Sequence, residues 1–147
     1  MKKLLLFCII LFCCNNCTFS QKITADAILG QWLTSEKECM VEIYKKQNSY
    51  YGKVCWLKEP LNEKGEPVED TENPDPRLRT RHLLGTTFMF DFEYEGEGRW
   101  TNGTVYNARN GKTYKALLKM DEPDILYLHG YIGIPALGMD SKWTRQK

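Results

Sequence analysis

Between Thr86 and Glu95 the chain alternates with a period of two: Phe88, Phe90, Phe92 and Tyr94 interleave with Thr87, Met89, Asp91 and Glu93. Successive side chains of a strand point to opposite faces, so this stretch predicts a strand with four aromatics on one face and mostly polar groups on the other. Lys112–Met120 repeats the pattern, with Tyr114, Ala116, Leu118 and Met120 in one phase, and Asn110-Gly111 before it suits a tight hairpin turn. Further strands are expected near Gly30–Ser35, Cys39–Lys45, Tyr50–Leu57, Arg99–Tyr106, Asp124–Ile132 and Ser141–Gln146. No long segment has helical period. About eight short strands, mostly joined by tight connections, are what a small antiparallel up-and-down β-barrel needs, and closure removes edges that would invite aggregation. An open sandwich is the alternative.

The first 20 residues read differently. Lys2 and Lys3 precede an apolar run from Leu4 to Phe12, and the small Thr18 and Ser20 fit a cleavage before Gln21. That is a signal-peptide pattern, too short for the roughly 20 apolar residues of a spanning helix. The expected product is a secreted or periplasmic domain of residues 21–147. Tethering as a lipoprotein through Cys13, Cys14 or Cys17 is the less favoured reading, because Asn16 and Phe12-Cys13 are poor contexts for acylation.

One domain is all that residues 21–147 can hold. With Lys2 and Lys3 gone, the formal charge falls from +1 to about −1, which gives nucleic-acid binding no support. The mature chain keeps only Cys39 and Cys55, and in an oxidising compartment a bridge is the favoured expectation, with two free thiols as the alternative. A monomer is expected, with no transmembrane segment.

Gly30-Gln31-Trp32 opens the first strand and Trp143-Thr144-Arg145 closes the last. The arrangement resembles the lipocalin and fatty-acid-binding protein superfamily, in which a Gly-x-Trp packs beneath an arginine of the last strand. The resemblance implies that Trp32 stacks on Arg145, a cation–π pair worth about 0.5–2 kcal/mol.

The connection Lys58–Leu84 is long, carries Pro60, Pro67, Pro74 and Pro76, and includes the acidic run Glu69-Asp70-Thr71-Glu72. Loops of this length are functional or disordered. Read in order, Gly30–Trp32, Tyr51–Val54, Asp70–Asp75, Arg81–Gly85, Trp100–Gly103, Asn110–Tyr114, Gly130-Tyr131 and Trp143–Arg145 resemble the secreted bacterial family catalogued as domain of unknown function 2147. The resemblance covers nearly the whole mature chain and implies a compact β fold, but names no reaction. One departure is Tyr106-Asn107-Ala108, where the family pattern tends to carry an aspartate and a proline.

Chemistry has few footholds. Asp70, Glu72, Asn73 and Asp75 could offer oxygens to a hard cation, but the glycine and distal glutamate of an EF-hand loop are missing. Pairing of Asp70 and Asp75 with Arg77, Arg79 or Arg81 is the favoured reading, and a ligand-facing role for Asp70 and Asn73 the second. Arg79 and Arg81 would share a face if that stretch is extended and could then hold a small anion, but surface or loop-anchoring arginines are the favoured reading. His82 and His129 show no spacing that brings them together, so both read as structural. Asn102-Gly103-Thr104 has the form of a glycosylation acceptor and reads as a turn. No motif calls for a catalytic set, a metal or a cofactor.

Phe88, Phe90, Phe92, Tyr94, Tyr114, Leu118 and Trp32 would either line a pocket or fill the barrel, and so many large side chains in a short chain favour filling. Three functions follow in order of preference. The first is a non-enzymatic binding protein for a small apolar or amphiphilic molecule. The second is an envelope-associated interaction domain with a filled barrel and exposed aromatics such as Tyr50 or Trp56. The third is an enzyme, which needs Asp70, Asp75, His82 or an arginine to converge in a cleft.

Overall fold

The computed structural model describes residues 22–147. The signal-peptide reading, its cysteines and the expected cleavage before Gln21 fall outside the described residues. Eight strands follow one another: β1 (Gly30–Leu33), β2 (Cys39–Lys46), β3 (Ser49–Leu57), β4 (Thr87–Gly96), β5 (Arg99–Asn107), β6 (Lys112–Glu122), β7 (Ile125–Tyr131) and β8 (Met139–Gln146). Each pairs antiparallel with its sequence neighbours, and β8 returns to β1 through Gln31–Gln146, Trp32–Arg145 and Leu33–Thr144. This is the closed eight-stranded barrel that the turn spacing predicts, and the open sandwich drops out.

One end of the barrel is packed solid. A short 3-10 turn, Ala25–Ile28, lies across it and buries Ile28 against Trp32, Tyr50, Phe92, Trp100 and Met120. Large aromatics can be buried here because their polar atoms find backbone partners. The Trp32 indole donates to the Ile28 carbonyl at 2.9 Å, Trp100 to Ala25 at 3.1 Å, and the Tyr94 hydroxyl to Ile23 at 2.6 Å. The turn is also tied from its polar side, since Asp26 accepts from Lys45 at 2.8 Å and from Tyr50 at 2.6 Å.

Arg145 seals this end as the resemblance implies. Its guanidinium lies 4.2 Å from the Trp32 ring centre and donates to the carbonyls of Leu29, Ala27 and Pro123. Gly30 is required beside it: its φ is +120°, and a Cβ there would press on the guanidinium.

Three expectations are corrected. First, β4 does not put its four aromatics on one face. The β3–β4 register shifts on both sides of Gly52, and Asp91 sits at φ +60°. Met89 therefore joins Phe92 and Tyr94 in packing toward the interior, whereas Phe90 pairs with Thr104 in the outward phase of Lys115. Asn102, expected in a turn, makes the matching irregularity inside β5 at φ +60°. Second, Cys39 and Cys55 are free thiols. Cys39 pairs with Leu57, but a bulge between Val54 and Trp56 leaves Cys55 unpaired, close to Glu42 and Lys53. Third, Tyr50 is 2% exposed and belongs to the core, whereas Trp56 is 40% exposed.

Candidate functional site

The opposite end is neither filled nor sealed. A pocket of about 900 Å³ opens there, within the range of small-molecule sites. Its floor is the upper edge of the packed core, formed by Val105, Leu128 and Trp143, and its walls include Val54, Phe88 and Tyr114. The expected filling therefore holds for the lower half of the barrel only. The pocket lining includes small residues such as Val54, Val105, Gly130 and Ser141, where the base has Trp32 and Trp100.

The long loop roofs one side of the mouth through Val68 and Leu83. Buried hydrogen bonds fold it against the barrel. Asp70 is fully buried and accepts from the Tyr106 hydroxyl at 2.6 Å, from Asn73 at 2.7 Å and from Arg81 at 2.7 and 2.9 Å. Burial pushes the Asp70 carboxyl up, but those hydrogen bonds outweigh it and hold the group below the ordinary carboxylate range. Burial first, and then the hydrogen bond to Asp70, pushes Tyr106 up to about 12. Arg79 donates to the Asn73 carbonyl at 2.8 Å, and Arg77 clamps Asp75 with 2.8 and 3.0 Å contacts. Arg79 and Arg81 thus take the favoured loop-anchoring role rather than the small-anion site an extended stretch would allow: Pro76–Leu78 is a 3-10 turn, and both guanidiniums are engaged inside the loop.

Across the mouth, the β7–β8 connection is an apolar lip. Ile132, Ile134, Leu137 and Met139 are 60, 59, 75 and 81% exposed, and all but Ile134 line the pocket. The charges at the mouth are unbalanced toward acid. Glu36, Glu38 and Glu59 stand there with Lys58 and Arg109, Arg109 is paired with Glu38, and the carboxylate of Asp140 is engaged by His129. Among the described residues no buried polar side-chain atom lacks a partner.

Of the residues singled out in the sequence, Phe88 and Tyr114 line the pocket, Phe92, Tyr94 and Leu118 pack the core beneath it, and Phe90 faces outward. Asp70, Asn73, Arg79 and Arg81 form the loop network outside it. His82 and His129 do not meet: His82 pairs with Glu69 in the loop and His129 lies on β7. Among the described residues no three His, Cys, Asp or Glu side chains are placed to hold a metal ion, and no helix is long and apolar enough to cross a membrane. Val105, Leu128 and the lip escaped the sequence reading. Gly133 and Pro135 within an apolar run were the available signal.

Cys39 lines the pocket, and burial pushes its thiol up to about 11, with Cys55 adding to the rise. Alkylation of Cys39 by iodoacetamide should therefore be slow near neutral pH and accelerate only in alkali, because the thiolate is the reactive form. Rapid labelling at neutral pH, read by peptide mass spectrometry, would contradict this placement.

A family model described as an uncharacterized protein conserved in bacteria (DUF2147) matches residues 30–145. Among solved structures, a Helicobacter pylori protein, HP1028, described as belonging to the lipocalin family, superposes with a TM-score of 0.73. It is 24% identical over 81% of this chain and 82% of its own, a likeness that speaks for the fold alone. No curated protein matches the chain in sequence.

Proposed function

Because this chain belongs to the bacterial DUF2147 family and closes into a lipocalin-like barrel, we propose that it is a non-enzymatic binding protein, exported to the periplasm or medium, that holds one small, largely apolar molecule in the open end. The observation that carries this reading is the roughly 900 Å³ pocket with an apolar floor above a sealed base. Buried apolar area supplies the affinity, at about 25 cal/mol per Å² before the losses of association. The ring of carboxylates at the mouth, with Arg109 already engaged by Glu38, makes a neutral or cationic head group a better fit than an anionic one. The signal-type segment before Gln21 supports export, and a monomer is the working unit.

The test is titration with N-phenyl-1-naphthylamine, a neutral apolar fluorophore. One-to-one saturable enhancement is expected, and Val105→Trp, which drives an indole into the pocket floor, should weaken it by roughly tenfold or more while circular dichroism stays that of the barrel. Unsaturable enhancement, or equal enhancement in both proteins, would sink the pocket reading. Native mass spectrometry of protein purified gently from its own envelope fraction would then show whether a ligand travels with it.

The exposed lip favours a second reading, an envelope-interaction domain. In that case a charge at Ile134, which is exposed but outside the pocket lining, should abolish partner association and leave fluorophore binding intact.

A further inference from the structure

His129 connects the lip to the barrel wall. Its side chain is on the outer face of β7, and its two ring nitrogens reach two oxygens. Nδ1 is 2.6 Å from Asp140 Oδ1 on β8, and Nε2 is 2.8 Å from the carbonyl of Pro135, inside the lip. Neither partner offers a proton: one is a carboxylate and the other a backbone carbonyl. A neutral imidazole has a single N–H, so whichever tautomer it takes, one nitrogen lone pair points at an oxygen. Both contacts are hydrogen bonds only in the imidazolium.

The packing around the ring is tight on the lip side. A Cβ on Gly138 would collide with Nε2, so this glycine lets the lip lie directly on the imidazole. Met139 anchors the far end of the lip in the β7–β8 ladder opposite Gly130, but the Leu137 and Gly138 amides donate only to Ile134 and Pro135 within the turn itself.

We infer that His129 is a proton-operated latch: the imidazolium docks the apolar lip at the pocket mouth, and loss of its proton frees the lip and speeds ligand exchange. The exchange half of this statement rests on the ligand-pocket reading, whereas the docking half stands on the His129 geometry alone.

The surroundings are consistent with a single switch. On β6, Leu117 lies across from His129, and Lys119 is held by Asp121 at 3.0 Å. On β8, Asp140 lies across from it and Lys142 sits 6.0 Å from the Tyr127 ring. On β7, Tyr131 stacks obliquely at 5.9 Å, and it pairs with Lys115 of β6. Among these side-chain types histidine is the one whose charge ordinarily changes between about pH 5 and 8. The Asp140 carboxylate first, and then the Pro135 carbonyl, raise its pKa above the ordinary value. A raised folded value gives the sign: the latch is fully set below the unfolded value of about 6.5 and is lost as pH rises through the folded value.

The experiment has two arms on the purified protein. In the first, nitrogen-15 NMR of the imidazole and hydrogen exchange of the Leu137 and Gly138 amides are followed across pH. Both ring nitrogens should be protonated on the acid side, and exchange, corrected for intrinsic rates, should rise as His129 titrates. A singly protonated ring on the acid side, or exchange that ignores the titration, overturns the latch. In the second arm, stopped-flow release of N-phenyl-1-naphthylamine should quicken by about threefold to tenfold across the same titration and lose that step in His129→Gln, whose amide cannot donate to both oxygens. Release that stays pH-independent while the amides respond overturns gating. If the fluorophore does not bind at all, the pocket reading fails, and the first arm alone decides the docking half.

Discussion

Trp32→Ala is expected to lower the unfolding free energy by about 3–5 kcal/mol, the cost of removing a fully packed indole from a core that cannot collapse around the void. Trp32 is 0% exposed and does three things at once. It fills the base, donates to the Ile28 carbonyl, and carries the Arg145 guanidinium on its ring. Its loss leaves the Ala25–Ile28 turn without its anchor and Arg145 without its platform. Urea unfolding followed by far-ultraviolet circular dichroism measures the change. The comparison variant is Arg145→Met, which keeps packing length and removes the charge, and a smaller loss is expected from it. A Trp32→Ala cost below about 1 kcal/mol would mean that the sealed base is not the stabilising element of the fold.

Asp70→Asn should cost less in the barrel and more at the mouth. Removing one partner from a buried charged network typically costs about 3–5 kcal/mol. Here the Arg81 side chain keeps 31% exposure and can turn to water, so about 2–3 kcal/mol is expected. Tyr106, pushed up to about 12, stays a hydroxyl donor, while the Asn amide cannot accept at both former oxygen positions. The loop carries Val68 and Leu83 into the pocket wall, so fluorophore affinity should fall and trypsin should cut sooner after Arg77 and Arg79. The pH dependence has a definite sign. A carboxyl held below its ordinary value contributes fully above the unfolded pKa of about 3.9, and that contribution is lost as pH falls through the depressed folded value. The gap between wild type and Asp70→Asn should therefore close in acid. A gap that persists unchanged at the acid end would assign the effect to shape rather than charge.

The strands were legible because period-two alternation and turn residues are local signals. The base was legible too, through Gly30, Trp32 and Arg145, since each is chemically singular at its place. The faces of β4 were not. Alternation assumes an unbroken register, and the irregularities at Asp91 and Asn102 reverse the phase midway; aspartate and asparagine inside strands, both tolerant of positive φ, were the hint. Ion pairing within the loop was foreseeable from its composition, whereas Tyr106 as the third partner of Asp70 was not, because that contact joins residues 36 apart. The pocket was the least legible part. It is lined from seven strands, β2 to β8, and from the β1–β2, β3–β4, β5–β6 and β7–β8 connections, and no window of sequence contains it. The cysteines misled for a different reason: two thiols left in an oxidising compartment suggested a bridge, and that count carries no information on how the two side chains are placed.

The closing pair Trp32–Arg145 joins positions near the two ends of the described chain, which sets an order of events in folding. Hairpins β2–β3, β4–β5, β5–β6 and β7–β8 need only short loops to form, but the seam between β1 and β8 must await the whole chain, and contacts so distant in sequence are slow to form. Until Arg145 arrives, β1 has one unpaired side and the base has no seal. The last strand is thus the step that turns a curled sheet into a container, and a chain ending before Thr144 would hold its aromatics in an open trough with nothing to close over a guest.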